Sequence, residues 1–478
     1  MPVFQFVGRT APANTPTGDR PQRWQRMLCR SLIISSLGGP LFVCAGAQIP
    51  GRALEIARDT VRITLSEART RALRDNPELS AARLDIDIAR GELRQAGLIR
   101  ANPSADLLSS GTSGTRPELG FSQEIEIGGQ RSRRVAAARA GVSRARFSTA
   151  NTSRVTLADV ERGFYRIVAG GRRAALADEV LSLVMRLAQV AERQLREGEI
   201  SKLDYNLTVI ELGRSRSQSL SAHREQDETS LEFRRLVGLP SNVGVVPVYD
   251  SLHYHARIDS AGGSVELRWS ALTTGRGMDA PTQDSVVTLA GLLTRALALR
   301  PDLAERDEAV IETQALVSLA QREAYPNLLA RVVVQQNDGG TRETIRPGLG
   351  MSIPVFNRQQ GAIDARRAAT AQARLDRTAT ATRVRVEVER AYRAYVSAAT
   401  GVEVFESTVL GPARDNRRLL EAAYREGKVG IPVLLLIRNQ VIGAEQDYWN
   451  AWLAEREALA DLAASVGSDS NVVSDGDD

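Results

Sequence analysis

Cysteine is nearly absent from this chain. Its 478 residues include two, Cys29 and Cys44, both ahead of everything that reads as folded. The remainder can hold neither a disulfide framework nor a thiolate metal centre. Histidine is scarce too, at His223, His253 and His255. His253-Tyr254-His255 sets two imidazoles on one side of an extended segment. No third ligand stands near, so a surface loop is expected there rather than a zinc site. Aromatic residues make up 5% of the chain, while Ala, Arg, Leu and Glu abound, which favours long helices over compact cores. Beyond residue 47 there is no apolar run of the roughly 18 residues that a helix needs to cross a bilayer. A membrane crossing would have to use strands. Charge is balanced, with 62 basic against 57 acidic residues and a net +5. The signs alternate along the helical stretches as on solvated faces. No basic stripe is interleaved with aromatics, which argues against nucleic acid as a partner. No Ser/His/Asp set, phosphate loop or carboxylate pair at catalytic spacing stands out. No catalytic residue, cofactor or bound metal is expected.

Residues 1–47 read as an N-terminal extension and signal peptide. Pro12, Pro16 and Pro21 punctuate a polar start without periodicity. Met27-Leu28-Cys29-Arg30 then gives a basic start, Ser31 to Val43 carries no charge, and Ala45-Gly46-Ala47 is a small-x-small cleavage pattern. Translation from Met27 would give the same leader without the extension. The competing reading is a disordered tail before a buried helix. Lipid-anchoring cysteines want a small residue just before them. Cys44 follows Val43, so cleavage after Ala47, without lipid, is the expectation.

What is present in quantity is helix. Gly128 to Glu197 contains no proline and is rich in strong helix formers. Leu176, Val180, Leu183, Leu187, Val190, Ala191 and Leu195 recur at helical spacing near its end. Such a helix is roughly 100 Å long. After Glu197-Gly198-Glu199, the return helix Ser201–Val237 reaches only about 55 Å. The shortfall matches the helix expected over Glu78–Leu98. One long helix should therefore run against two shorter ones stacked end to end.

The chain also reads twice. Asn76-Pro77-Glu78-Leu79 matches Arg300-Pro301-Asp302-Leu303, Leu119-Gly120-Phe121-Ser122 matches Leu349-Gly350-Met351-Ser352, and Arg196-Glu197-Gly198 matches Arg425-Glu426-Gly427. The offset is about 230 residues throughout, which marks a duplicated domain rather than a short solenoid repeat. The first repeat is placed at 62–239 and the second at 287–467. A linker fills 240–286, with a strand at Val243–Tyr249, and a disordered acidic tail occupies 468–478. Each repeat carries a β-hairpin, at about 104–127 and about 327–355. Leu119, Phe121, Ile125 and Ile127 alternate with polar residues, as do Leu349, Met351, Ile353 and Val355 with small ones. Segments of this length suit tilted membrane strands; a soluble two-stranded ribbon has the same pattern. In the second repeat, Gln359–Glu426 is the long element, with a kink expected at Gly411-Pro412.

Four strands cannot close a barrel, and open edges in lipid leave backbone groups unpaired. Membrane strands here therefore require several chains to share one barrel. The expected fold is mainly α with a small β part, a duplicated unit of long antiparallel helices plus a hairpin.

The repeat, the Asn76-Pro77-Glu78-Leu79 start and the tips Leu195-Arg196-Glu197-Gly198-Glu199-Ile200-Ser201 and Tyr424-Arg425-Glu426-Gly427-Lys428-Val429 resemble the TolC-type outer-membrane efflux proteins over about residues 62–467. The run from Phe121 to Arg131 is similar to their CzcC-like, cation-efflux branch. The resemblance implies a homotrimer with a 12-stranded β-barrel in outer-membrane lipid and a helical tunnel in the periplasm. It implies a periplasmic adaptor and an inner-membrane pump of the resistance-nodulation-division (RND) type as partners. The exported cargo would be heavy-metal cations. It places adaptor contacts at Arg196, Gly198, Glu199, Ser201, Leu203, Arg425, Gly427, Val429 and Leu434, and membrane strands at Phe121, Ile125, Met351 and Ile353. Asp204 and Tyr424 match family positions that hold the tunnel closed. Val429, Val433 and Leu436 replace the other charged gate positions, so the drug-efflux gate is not reproduced. The alternatives are a duct for type I secretion or drug efflux, and, in a different class, a soluble periplasmic coiled-coil scaffold.

Overall fold

The structure is a computed structural model that describes residues 60–110, 116–240, 242–249, 257–258, 265–266, 288–336 and 343–467. Chain contacts divide it into Met1–Glu55 and Ile56–Asp478, and every described residue lies in the second unit. The expected leader with its cysteines, the acidic tail and His253-Tyr254-His255 fall outside the described residues.

The first repeat opens on strand β1 (Thr60–Ile63). Four residues carry too little periodicity to announce a strand, and none was expected there. Its partner lies far along the chain, in β4 (Gly244–Pro247), in parallel register. That strand is shorter than the expected Val243–Tyr249 because β1 offers only four residues to pair.

Helix α1 (Leu65–Asp75) starts on a capping box. The Thr64 hydroxyl accepts from the Glu67 amide at 3.3 Å, and the Glu67 carboxylate accepts from the Thr64 amide at 2.8 Å. Asn76 ends α1 and caps α2 (Pro77–Ala96), accepting from the Leu79 amide at 3.0 Å. Pro77 sits at the first helical position, where its missing N–H costs nothing. The second repeat copies this plan with α5 (Leu289–Leu299), Arg300 in place of Asn76, and α6 (Pro301–Glu323).

Two long columns follow. Helix α3 (Gln130–Glu197) has 68 residues and returns through α4 (Lys202–Val237). In the second repeat α7 (Gln360–Val404), a π-helical turn at Phe405–Val409 and α8 (Leu410–Arg425) make the outward path, and α9 (Ile431–Val466) returns. The irregularity lies one turn ahead of Gly411-Pro412. Pro412 has no N–H for the Thr408 carbonyl and its ring crowds that group, so the strain is taken up where the carbonyl sits. Helix α3 packs along α2 and α4 of its own repeat and along α6 and α9 of the other. Its middle is buried on several faces, with Leu157, Val160, Phe164 and Ile167 all enclosed.

The scarce aromatics gather at one level. Tyr165, Tyr249, Trp452 and Trp449 stack edge to face with centroids 5.4–5.9 Å apart along the chain Tyr165–Trp452, Tyr249–Trp452 and Trp449–Trp452. They join α1, α3, α4 and α9 in one core.

In the linker β5 (Arg257–Ile258) and β6 (Val265–Glu266) form a short antiparallel pair. The four-stranded sheet has order β2-β3-β7-β8, all antiparallel: β2 (Ser104–Ser110), β3 (Arg116–Ile125), β7 (Leu328–Gln336) and β8 (Glu343–Met351). Strand β8 stops at Met351, which pairs with Leu328, the first residue of β7. Ile353, expected in a strand, has no partner and lies beyond the sheet.

Both return helices are fastened in the same way. Asn76 Nδ2 donates to the Leu236 carbonyl at 2.9 Å, and Arg300 Nη1 to the Ser465 carbonyl at 3.3 Å. Arg300 is buried and needs a counter-charge, which Asp302 supplies through two hydrogen bonds of 2.6 and 2.9 Å. Burial alone would push the Asp302 carboxyl up. The Arg300 guanidinium, helped by Arg154 and Arg383, more than offsets this and holds it below the ordinary carboxylate range. Its contribution is therefore present above the unfolded carboxylate value, near pH 4, and is lost as pH falls through the lowered folded value. Asp302→Asn is expected to cost about 3–5 kcal/mol, and to flatten the loss of thermal stability below pH 4. A melting series against pH checks both.

Candidate membrane face and docking tips

Strand pairing sorts the sheet into two unlike faces. Residues directly opposite one another share a face, so Leu107, Leu119, Val334 and Ile345 line up across all four strands. Ala105, Phe121, Val332 and Pro347 form the next row, and Ile125, Leu328 and Met351 the last. Gln123 alone interrupts this face in β3, with its amide donating to the Ala101 and Glu124 carbonyls. The other face carries Asp106, Glu118, Ser122, Arg331 and Arg346, with Gly120, Gly348 and Gly350 among them. Arg331 lies across Gly120, its Nη2 3.5 Å from where a Cβ would stand. The apolar face is bare: Phe121 is 48% exposed, Met351 52% and Leu349 77%. Strands β2 and β8 each have one unpaired edge in the chain.

The two helical hairpins end in matching reversals. Gly198 and Gly427 adopt φ of 76° and 71°. Glu199 donates to the Gln194 carbonyl at 2.8 Å and Gly198 to Leu195 at 3.2 Å, and Lys428 and Gly427 repeat the pattern on Ala423 and Tyr424. Both are Schellman closures, which require a left-handed residue. Ser201 then caps α4, accepting from the Asp204 amide at 3.1 Å while its hydroxyl donates to the Asp204 carboxylate at 2.8 Å.

The tips are held side by side by Val180, Leu187, Leu420, Ile431, Leu434 and Leu435. This overturns the expectation for Leu434: it is 4% exposed, and its side chain is used between the tips rather than offered to a partner. Val429 and Tyr424 pack partly against the same cluster, and burial raises the Tyr424 phenol. Arg196, Gly198, Glu199, Ser201, Leu203 and Gly427 are exposed. Arg425 closes α8. Among the described residues no hydrogen bond joins Asp204 to Tyr424 within the chain. The tip cluster was foreshadowed by the helical spacing from Val180 to Leu195, but its partners in α8 and α9 were not. Asp178, which accepts from Ser219 at 2.7 Å and lies 2.9 Å from His223, ties α3 to α4 and was not foreseen.

The two kinds of left-handed glycine should respond differently to substitution. A Cβ at Gly198 would meet nothing within 4 Å, whereas at Gly238, the left-handed cap of α4, it would come within 2.5 Å of the Asp75 carbonyl oxygen. Gly198→Ala is expected to cost about 1–2 kcal/mol through φ alone. Gly238→Ala is expected to cost more, measured by denaturant unfolding; equal costs would contradict the close packing at Asp75.

No protein-family profile matches the chain. The cobalt-zinc-cadmium resistance protein CzcC of Cupriavidus metallidurans is 25% identical over 303 residues, 63% of this chain and 65% of that protein. The match thus spans slightly less than two thirds of the relative's length. The outer membrane channel CmeC of Campylobacter jejuni superposes with a TM-score of 0.67 at 13% identity, over 84% of this chain and 85% of its own. CusC gives 0.63 at 16% identity over 84% and 92%, and VceC of Vibrio cholerae 0.63 at 14% over 84% and 96%. The chain has the fold of the TolC-type outer-membrane channel proteins and is related in sequence to CzcC.

Proposed function

We propose that the chain is one subunit of a passive, trimeric duct in the bacterial outer membrane. The observation that carries this reading is the two-faced sheet with two open edges, joined to helical columns about 100 Å long. Three copies would give twelve strands and a closed barrel. The apolar face would meet lipid and the polar face would line the channel. The helices would extend the duct through the periplasm. A soluble periplasmic scaffold would have no use for so broad an apolar face. A passive duct would draw its energy from outside, from an RND-type pump through a periplasmic adaptor.

The related CzcC is by name a cobalt-zinc-cadmium resistance protein, which favours heavy-metal cations as cargo over drugs or secreted protein. The adaptor would meet the tips at Arg196, Gly198, Glu199, Ser201, Leu203, Arg425, Gly427 and Val429. Asp204 and Tyr424 would approach their counterparts in neighbouring subunits, where three tips converge on the tunnel entrance.

Arginine in place of Phe121, Ile125 or Met351 is expected to cost about 2–4 kcal/mol near the bilayer midplane, and to abolish the heat-resistant oligomer on gels. Ser122→Arg, on the opposite face, should be tolerated; equal tolerance at all four positions would contradict a lipid-facing sheet. Gly198→Val and Gly427→Val should leave the oligomer intact but fail to crosslink to the adaptor. They should also fail to restore zinc and cobalt tolerance to a deletion strain. Full tolerance in that complementation assay would contradict the tips as the coupling end.

A further inference from the structure

We infer that the strand-to-helix junction is a binding belt for anionic phospholipid headgroups of the leaflet on the helix side. The inference rests on the membrane reading of the sheet. The chain crosses this junction four times, at 97–103, 126–134, 322–327 and 352–367. These segments hold eight arginines, no lysine and three acidic residues. Their surplus of about five positive charges is as large as that of the whole chain, +5.

The three acids are already engaged. Glu126 pairs with Arg134 at 2.7 Å, Glu323 with Arg100 at 3.3 Å and Asp364 with Arg367 at 3.2 Å. Arg133, Arg358 and Arg366 have no ion-pair partner among the described residues. Among the described residues Arg131 donates only to the Gly97 carbonyl, at 2.7 Å. Arg322 lies 5.5 Å from the centroid of the exposed Tyr325 ring.

Exposed apolar side chains stand among these cations: Ile99, Ile127, Val355 and Phe356, the last 92% exposed. The apolar sheet face ends here, at Ile125 and Met351. The opposite ends of the hairpins differ, since residues 111–115 and 337–342 contain one arginine and one aspartate between them. A row of apolar and aromatic groups bordered by unpaired guanidinium groups, at this end of the sheet, is the pattern of an interface with a charged lipid surface. Arginine suits a phosphate because its fork can donate two parallel hydrogen bonds.

The test uses the full assembled protein in nanodiscs of phosphatidylcholine, with or without phosphatidylglycerol. Lipids retained after mild detergent extraction are counted by mass spectrometry. The wild type should retain phosphatidylglycerol over phosphatidylcholine, less so at high salt. Arg133→Gln with Arg358→Gln should reduce that preference by about fivefold per arginine removed. Arg186→Gln with Arg216→Gln, on the exposed faces of α3 and α4, should leave it unchanged. Equal retention of the two lipids, or equal losses in the two double variants, would overturn the belt. Failure to enter either kind of disc would overturn the membrane reading and the belt with it, whereas entry without lipid preference overturns the belt alone.

Discussion

Unpaired backbone at the two sheet edges is the constraint on which the rest depends. Strand β2 offers seven residues and β8 nine, and each is hydrogen-bonded on one side within the chain. In water solvent satisfies the bare side. In hydrocarbon each orphaned group costs several kcal/mol. In the proposed duct the apolar face would draw the sheet into lipid, and the edges would then have to find strands of other copies. Membrane insertion and oligomerisation would thus be one requirement, set by the same seven to nine rows of backbone.

The helical section obeys a different rule, that of length. A helix as long as α3 has no single partner in either repeat, so it takes α2 and α4 in series and α6 and α9 from the other repeat. The seam between the serial helices is fixed by one polar residue before a proline. Asn76 does this with a neutral amide. Arg300 does it with a charge, and the charge recruits Asp302 and Glu387, with Arg383 pairing in turn to Asp302. The two repeats keep the geometry and differ in chemistry, and of the two seams the one at Arg300 relies on a carboxylate and should be the acid-sensitive one. The aromatic core at the level of Trp452 and the leucine-rich core between the tips brace the columns at two heights.

Much of this was legible in the sequence, for identifiable reasons. The helices announce themselves through length, proline-free composition and capping residues, so α4, expected over Ser201–Val237, lies within one residue of its expected bounds. The hairpins showed a period of two because one face is apolar. The register that aligns Leu107, Leu119, Val334 and Ile345 was not legible, since pairing depends on which strands become neighbours. Strand β1 is not legible because four residues have no period and their partner lies about 180 residues away, in the linker. Leu434 was misplaced because a helix-start leucine looks the same whether it faces solvent or a second hairpin. Ile353 continued the alternation of β8, but alternation does not reveal that the partner strand has already ended.

Disulfide crosslinking between β2 and β8 tests closure most directly. With Cys29 and Cys44 replaced by serine, the chain is free of other cysteines. One cysteine is placed in β2 and one in β8, and the pairing is scanned along the strands in membranes. Adjacent strands bring Cβ atoms within disulfide reach at some register. The account predicts crosslinks between chains, at alternate positions, in a ladder that ends at three copies. Monomers at every register, or a ladder that runs past three, would contradict a barrel closed by three chains.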